Sequence, residues 1–138
     1  MIETHTTAVS TKGQGDAHDL TEAVGRAVAQ SAVRTGIVTV FVAGSTAGIT
    51  TIEFEPGAVA DLSAVFEKVA PRHAHYHHHV RWGDDNGSSH VRAALLGPSI
   101  TVPFKDNELL RGTWQQIALF EFDTRPRQRE LVIQIIGE

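Results

Sequence analysis

The sequence predicts a β-rich α+β fold in a single domain over residues 1–138, mostly antiparallel sheet with two or three helices packed on it. Three observations lead there. Short runs of β-branched and apolar residues dominate both ends of the chain, and segments with apolar residues at helical spacing lie between them. Turn signals recur throughout, with no linker, charge block or repeat to divide the chain.

The elements follow in order. Ile2 to Val9 alternates and is rich in Thr and Ile, which suits a strand, and Lys12-Gly-Gln-Gly15 is a turn. Asp19 reads as an N-cap with Glu22 three residues on. Leu20, Val24, Ala27, Val28 and Ala32 then recur at helical spacing until Gly36 stops the helix. Ile37 to Ala43 is apolar on both alternating faces, which places it as a central strand covered on both sides. Gly44-Ser-Thr-Ala-Gly48 turns the chain into a second strand, Ile49 to Phe54. Pro56 stands near a helix start, Leu62, Val65, Phe66 and Val69 form its apolar stripe, and Pro71 ends it. Residues 72–87 are polar and close with Asp84-Asp-Asn-Gly87, strong turn chemistry. Ser88 or Ser89 caps a short helix that carries Val91, Ala94 and Leu95 inward and stops at Gly97-Pro98. Three strands complete the chain: Ile100 to Phe104, put at an edge or bulge by Pro103; Trp114 to Phe122; and Leu131 to Ile136. Turns at Asp106-Asn107 and Thr124-Arg-Pro-Arg127 join them.

Composition narrows the function classes. The 12 Lys and Arg against 16 Asp and Glu leave a formal charge of −4, whereas a nucleic-acid partner calls for a basic excess. There is no cysteine, hence no disulfide, thiolate metal site or cysteine nucleophile. The first residues show no secretory signal, and the longest apolar stretch, Ile37 to Ala43, falls far short of the ~20 residues of a membrane span. A cytoplasmic protein with no membrane partner is expected.

Histidine is the outlier. Six of the eight, His73, His75, His77, His78, His79 and His90, fall within 18 residues. If residues 73–80 are extended, His73, His75, His77 and His79 project to one side, where alternate imidazoles can meet one metal. His90 follows a helix cap, where free amides and the positive end of the helix dipole favour the neutral imidazole a metal requires. Asp84 or Asp85 completes a His/His/Asp shell suited to a divalent ion such as Zn²⁺, with a position left open. The same helix start, with the Ser88 and Ser89 hydroxyls, offers donors to an anion, as do the Gly44 to Gly48 turn and the guanidinium forks of Arg125, Arg127 and Arg129. Trp114 offers a face to a flat ring, and Glu53 and Glu55 are candidate acids or bases.

Together these segments resemble the YjbQ family, which is named for secondary thiamine-phosphate synthase activity. The resemblance runs nearly end to end. It is carried by Ser45-Thr46-Ala47 with Glu53, Pro56 and Asp61; by Tyr76-His77-His78, Trp82 to Gly87 and Ser89-His90; and by Leu96-Gly97-Pro98-Ser99, Gly112-Thr113-Trp114-Gln115 and Pro126-Arg127 with Arg129. It implies a homotrimer with sites near subunit boundaries. It selects His78 and His90, with Asp84, as the metal-site residues and leaves His73, His75, His77 and His79 solvated. It implies Glu53, Asp85 and His90 in catalysis, and Ser45, Thr46, Ser89, Trp114, Gln115, Arg127 and Arg129 around a small phosphorylated substrate. The implied reaction joins an aminopyrimidine pyrophosphate to a thiazole phosphate, assisted by Zn²⁺ or Mg²⁺. The chain departs from the family pattern where many relatives carry His-Thr-Ser and Asn-Glu: it reads Gly44-Ser45-Thr46 and Ile52-Glu53. A non-catalytic metal- or ligand-binding homotrimer is the alternative.

Overall fold

The computed structural model describes all 138 residues. The chain runs β1 (Ile2–Ser10), β2 (Ala17–Asp19), α1 (Thr21–Gln30), β3 (Gly36–Ala43), β4 (Ala47–Ile52), α2 (Pro56–Val69), α3 (His77–Trp82), α4 (Gly87–Leu96), β5 (Ser99–Lys105), β6 (Glu108–Leu109), β7 (Gln116–Glu121) and β8 (Gln128–Gly137). The strands pair antiparallel into a five-stranded sheet, β1-β8-β3-β5-β6, and a three-stranded sheet, β2-β7-β4. This is the α+β class the sequence predicts.

The main core lies between the sheets. Val38, Val40 and Val42 of β3 and Leu131, Ile133 and Ile135 of β8 meet Ile49 of β4 and Ile117 and Leu119 of β7, and α1 adds Val24 and Val28. The opposite face of β7 supplies Ala118 and Phe120 to a second cluster with Phe66 of α2, Ala93 of α4 and Phe122. The three-stranded sheet is therefore a middle layer with apolar contacts on both faces. No helix is long and apolar enough to cross a membrane.

Several expectations are corrected. The strand covered on both faces is β7, not β3: Ile37 and Phe41 of β3 are exposed, because no helix covers the outer face of the larger sheet. In α4 the residues turned inward are Ser89, Arg92 and Ala93, while Val91 and Leu95 are exposed. Arg92 is held inward by its donations to the Ala70 carbonyl and to Glu67 Oε2, and Leu96 packs on the bare Gly48 of β4, where a Cβ would stand 2.8 Å from Leu96 Cδ2. In α2 the stripe facing the core is Val59, Leu62 and Phe66, and Val65 and Val69 are exposed. Helix α1 ends at Gln30, short of Ala32, where Asn107 Nδ2 donates to the carbonyls of Val28, Ser31 and Val33. Residues 77–82 form a helix, so the histidines do not alternate along a strand.

Candidate functional site

Helix α4 carries His90 as its fourth residue, and the short helix α3 carries His78 twelve positions earlier. The α3–α4 turn brings them together: the ring centroids are 4.4 Å apart with planes inclined by 39°. Asp84, in that turn, lies 2.9 Å from His78 Nδ1. A carboxylate accepting there keeps the proton on Nδ1 and leaves the Nε2 lone pair free. His90 is half-buried, and burial first, then the neighbouring His78, lowers its pKa below the ordinary 6.5, against a smaller opposing pull from Asp123 and Asp84. Both effects keep it in the neutral form that accepts a proton or a metal.

The sign of this shift gives a prediction. A lowered folded-state value means that the stability linked to His90 is complete above pH 6.5 and is lost as pH falls from there through the lowered value. Urea midpoints measured across that window should drop on acidification, and His90→Gln should flatten the drop. An unchanged slope in the variant would refute the assignment.

A pocket of about 270 Å³ opens beside His90, lined also by Gly44, Ser45, Ala47, Ala93 and Pro98. Behind the Gly44–Thr46 turn is a buried ionic network. Arg129 donates through Nε and Nη2 to both oxygens of Glu121, and through Nη2 to Thr46 Oγ1 at 2.6 Å. Thr46 Oγ1 donates on to Asp123 Oδ2 at 3.1 Å, and Arg127 Nε donates to the same oxygen at 2.8 Å. Thr11 Oγ1 donates to Glu121 Oε2, and the Asp123 N–H to Oε1. Burial would raise the Asp123 pKa, but donation by Arg127, the Thr124 N–H, Asn86 and Thr46 outweighs it and holds the group at about 2. Arg129 Nη1 has no acceptor and lies beside Gly44, where a Cβ would come within 2.7 Å of it. The bare turn at Gly44 is what admits the guanidinium.

The remaining predicted site residues divide. Ser45 is exposed at the pocket, Thr46 is buried in the network, and Asp85 accepts from Thr124 Oγ1 at 3.3 Å. Ser89 lies at the start of α4 with its hydroxyl fully buried and without a partner, as does Ser88. Glu53, Trp114 and Gln115 lie at the other end of the middle sheet. The register pairs Ala47 with Glu121 and Ile52 with Gln116, and five steps of ~3.3 Å separate the two ends by about 17 Å. Glu55 is the N-cap of α2, accepting from the Gly57 and Ala58 N–H groups. No group of three or more His, Asp or Glu side chains stands where it could share a metal ion.

Three contributors escaped the sequence reading. Glu121 and Asp123 carry a signal that was available: two carboxylates at alternate positions, followed across a short turn by Arg127 and Arg129 at alternate positions. His79 accepts from the Gly87 N–H through Nε2 at 2.9 Å, so it is engaged rather than solvated. Nothing in its local sequence distinguishes it from its neighbours.

Fold and site define a class: a layered antiparallel α+β domain with paired imidazoles at a helix start, over a buried arginine–carboxylate network. The sequence profile described as UPF0047 protein YjbQ-like matches residues 5–138. The chain belongs to the YjbQ/UPF0047 family. A UPF0047 protein of Methanothermobacter thermautotrophicus is 37% identical over 120 residues, 87% of this chain and 82% of that protein. One from Synechocystis is 32% identical over 131 residues, 94% and 88% of the two chains. Among solved structures, a YbjQ-like protein of unknown function from Sulfolobus solfataricus superposes with a TM-score of 0.90 at 29% identity, covering 100% of both chains. An uncharacterized YjbQ/UPF0047 protein of Clostridium acetobutylicum gives 0.84 at 32% identity, over 96% of this chain and 99% of that one.

Proposed function

We propose that this protein binds a small phosphorylated molecule in the His90 pocket, with His78 and His90 as its working imidazoles. The observation that carries the reading is their convergence to 4.4 Å, with His90 lining the pocket. Asp84 orients His78, and burial keeps His90 neutral. The exposed Ser45 and the unpaired Nη1 of Arg129 are the donors for phosphate oxygens, while Arg127 is half-exposed at the edge of the network. The specific activity we propose is thiamine-phosphate synthesis, in which these donors steady the departing pyrophosphate.

A divalent cation is part of this reading. Two imidazoles favour Zn²⁺ over Mg²⁺, which prefers oxygen ligands. Asp84 already holds His78, so two protein nitrogens do not complete a shell, and the other positions would fall to the ligand's own oxygens. A homotrimer with sites at its boundaries completes the reading. Ile2, Ile37, Phe41 and Ile136 are exposed on one face of the larger sheet, an apolar surface for a second copy. Trp114, 71% exposed, and Glu53 lie too far from His90 within one chain, and only a neighbouring copy could bring such groups to it.

The test is to incubate the purified protein with the aminopyrimidine pyrophosphate, the thiazole phosphate and Zn²⁺ or Mg²⁺, with its mass measured by light scattering. Thiamine phosphate should form on a trimer, and His90→Ala should reduce it by about 10²-fold or more, the usual range for a proton-transfer group. No product, or undiminished product from the variant, defeats the synthase. A second reading, a ligand-binding trimer without turnover, is favoured by Gly44, which leaves the pocket with His78 and His90 as its nearby proton-transfer groups. Thermal shifts with phosphorylated heterocycles, without product, would select it.

A further inference from the structure

We infer that His79 is the positioning residue of the site: by capping α4 it sets α3 against α4 and so fixes the distance between His78 and His90. The inference rests on the reading of that pair as the working site, but its geometry stands without any ligand. Helix α3 has six residues, buries none of them and has no side-chain cap of its own. A helix that short does not persist by itself in water. Its position must come from contacts with α4.

Those contacts are few. Gly87 opens α4, is buried, and donates its N–H to His79 Nε2 at 2.9 Å. None of the residues usually found at a helix start caps α4: Asn86 makes no side-chain cap bond, and the Ser88 and Ser89 hydroxyls are unpartnered. An imidazole carried in from α3 does that work instead. The approach is close because residue 87 is glycine, since a Cβ there would stand 2.5 Å from Tyr76 Cβ. Tyr76 in turn packs edge-on against His79, with ring centroids 5.3 Å apart, and donates its hydroxyl to the Pro71 carbonyl. Consecutive helical residues point about 100° apart, so His79 reaches the first amide of α4 while His78 faces His90 one turn further along. One residue holds the joint, and its neighbour presents the chemistry.

A structural consequence is specific to His79. Accepting through Nε2 requires its proton on Nδ1. In the full-length protein, ¹⁵N-resolved imidazole spectra should show His79 as the Nδ1–H tautomer, and an Nε2–H tautomer would overturn the proposal. His79→Leu should abolish the ring-to-ring cross-peak between His78 and His90 and the exchange protection of the Gly87 amide. His79→Gln, whose side-chain oxygen can accept in the place of Nε2, should keep both. A Leu variant that retains the cross-peak overturns the proposal, as does a Gln variant that folds but loses it. Should the Leu variant fail to fold, the wild-type tautomer and the Gln variant still decide. None of these readouts involves turnover or ligand, so failure of the binding reading would be seen separately.

Discussion

Arg129→Ala should lower the stability of this protein by about 3–5 kcal/mol, the range for breaking a buried ion pair from one side. Glu121 is fully buried and would lose both donations from the guanidinium. Thr11 Oγ1 and the Asp123 N–H would remain, but two neutral donors do not neutralise a buried carboxylate. Against a typical total of ~5–15 kcal/mol, the loss would leave a marginal fold. Removing both partners with apolar residues, Arg129→Met with Glu121→Leu, should cost less than Arg129→Ala alone, because no charge is stranded. Urea unfolding of the two variants measures this. An Arg129→Ala protein within about 1 kcal/mol of wild type would mean that the pair is not buried as described.

Gly36→Ala should cost about 3 kcal/mol, the upper end of the range for overpacking. Its Cβ would lie 2.0 Å from the Ile136 carbonyl oxygen, and a Cβ on its register partner Gly137 would lie 2.0 Å from the Thr35 oxygen. Both obstacles are backbone, which cannot rotate aside, and β3–β8 is the central pairing of the larger sheet. Gly25→Ala is the control. There the added methyl meets only Leu109 Cδ1 at 3.9 Å, and replacing glycine inside α1 should stabilise by about 0.5–1 kcal/mol. Thermal melts of the two proteins should therefore move in opposite directions. A neutral Gly36→Ala would contradict the close approach of the two strands.

Much of the fold was legible from the sequence because strand alternation and helix periodicity are local. The spacing of Val24 and Val28, Pro56 at the start of α2, the apolar runs of β3 and β8 and the Asp106-Asn107 turn all carry their physics in neighbouring residues. What failed was set by distance between elements. The inward place of Arg92 in α4 depends on acceptors at Glu67 and Ala70, more than twenty residues earlier, and the extent of α1 is cut by an asparagine 77 residues beyond its last residue. At the site, the sequence grouped His78 with His90, and the structure places their rings 4.4 Å apart. Asp84 was placed in the same group, and the structure assigns it to orienting His78. Arg127 and Arg129 were read as anion clamps, but most of their donors are committed to Asp123, Glu121 and Thr46. Sequence lists donors without showing which acceptors have already claimed them.

The sequence by itself determined the α+β class, the run of the main strands and helices, and the family, because these rest on local periodicity and on motifs kept in order along the chain. Only the tertiary structure decided which strand is covered on both faces, which histidine caps α4 and which faces His90, and where the charges of Glu121 and Asp123 are matched. Those outcomes depend on contacts between residues far apart in sequence, where burial and a few ångströms determine whether a side chain is free or engaged.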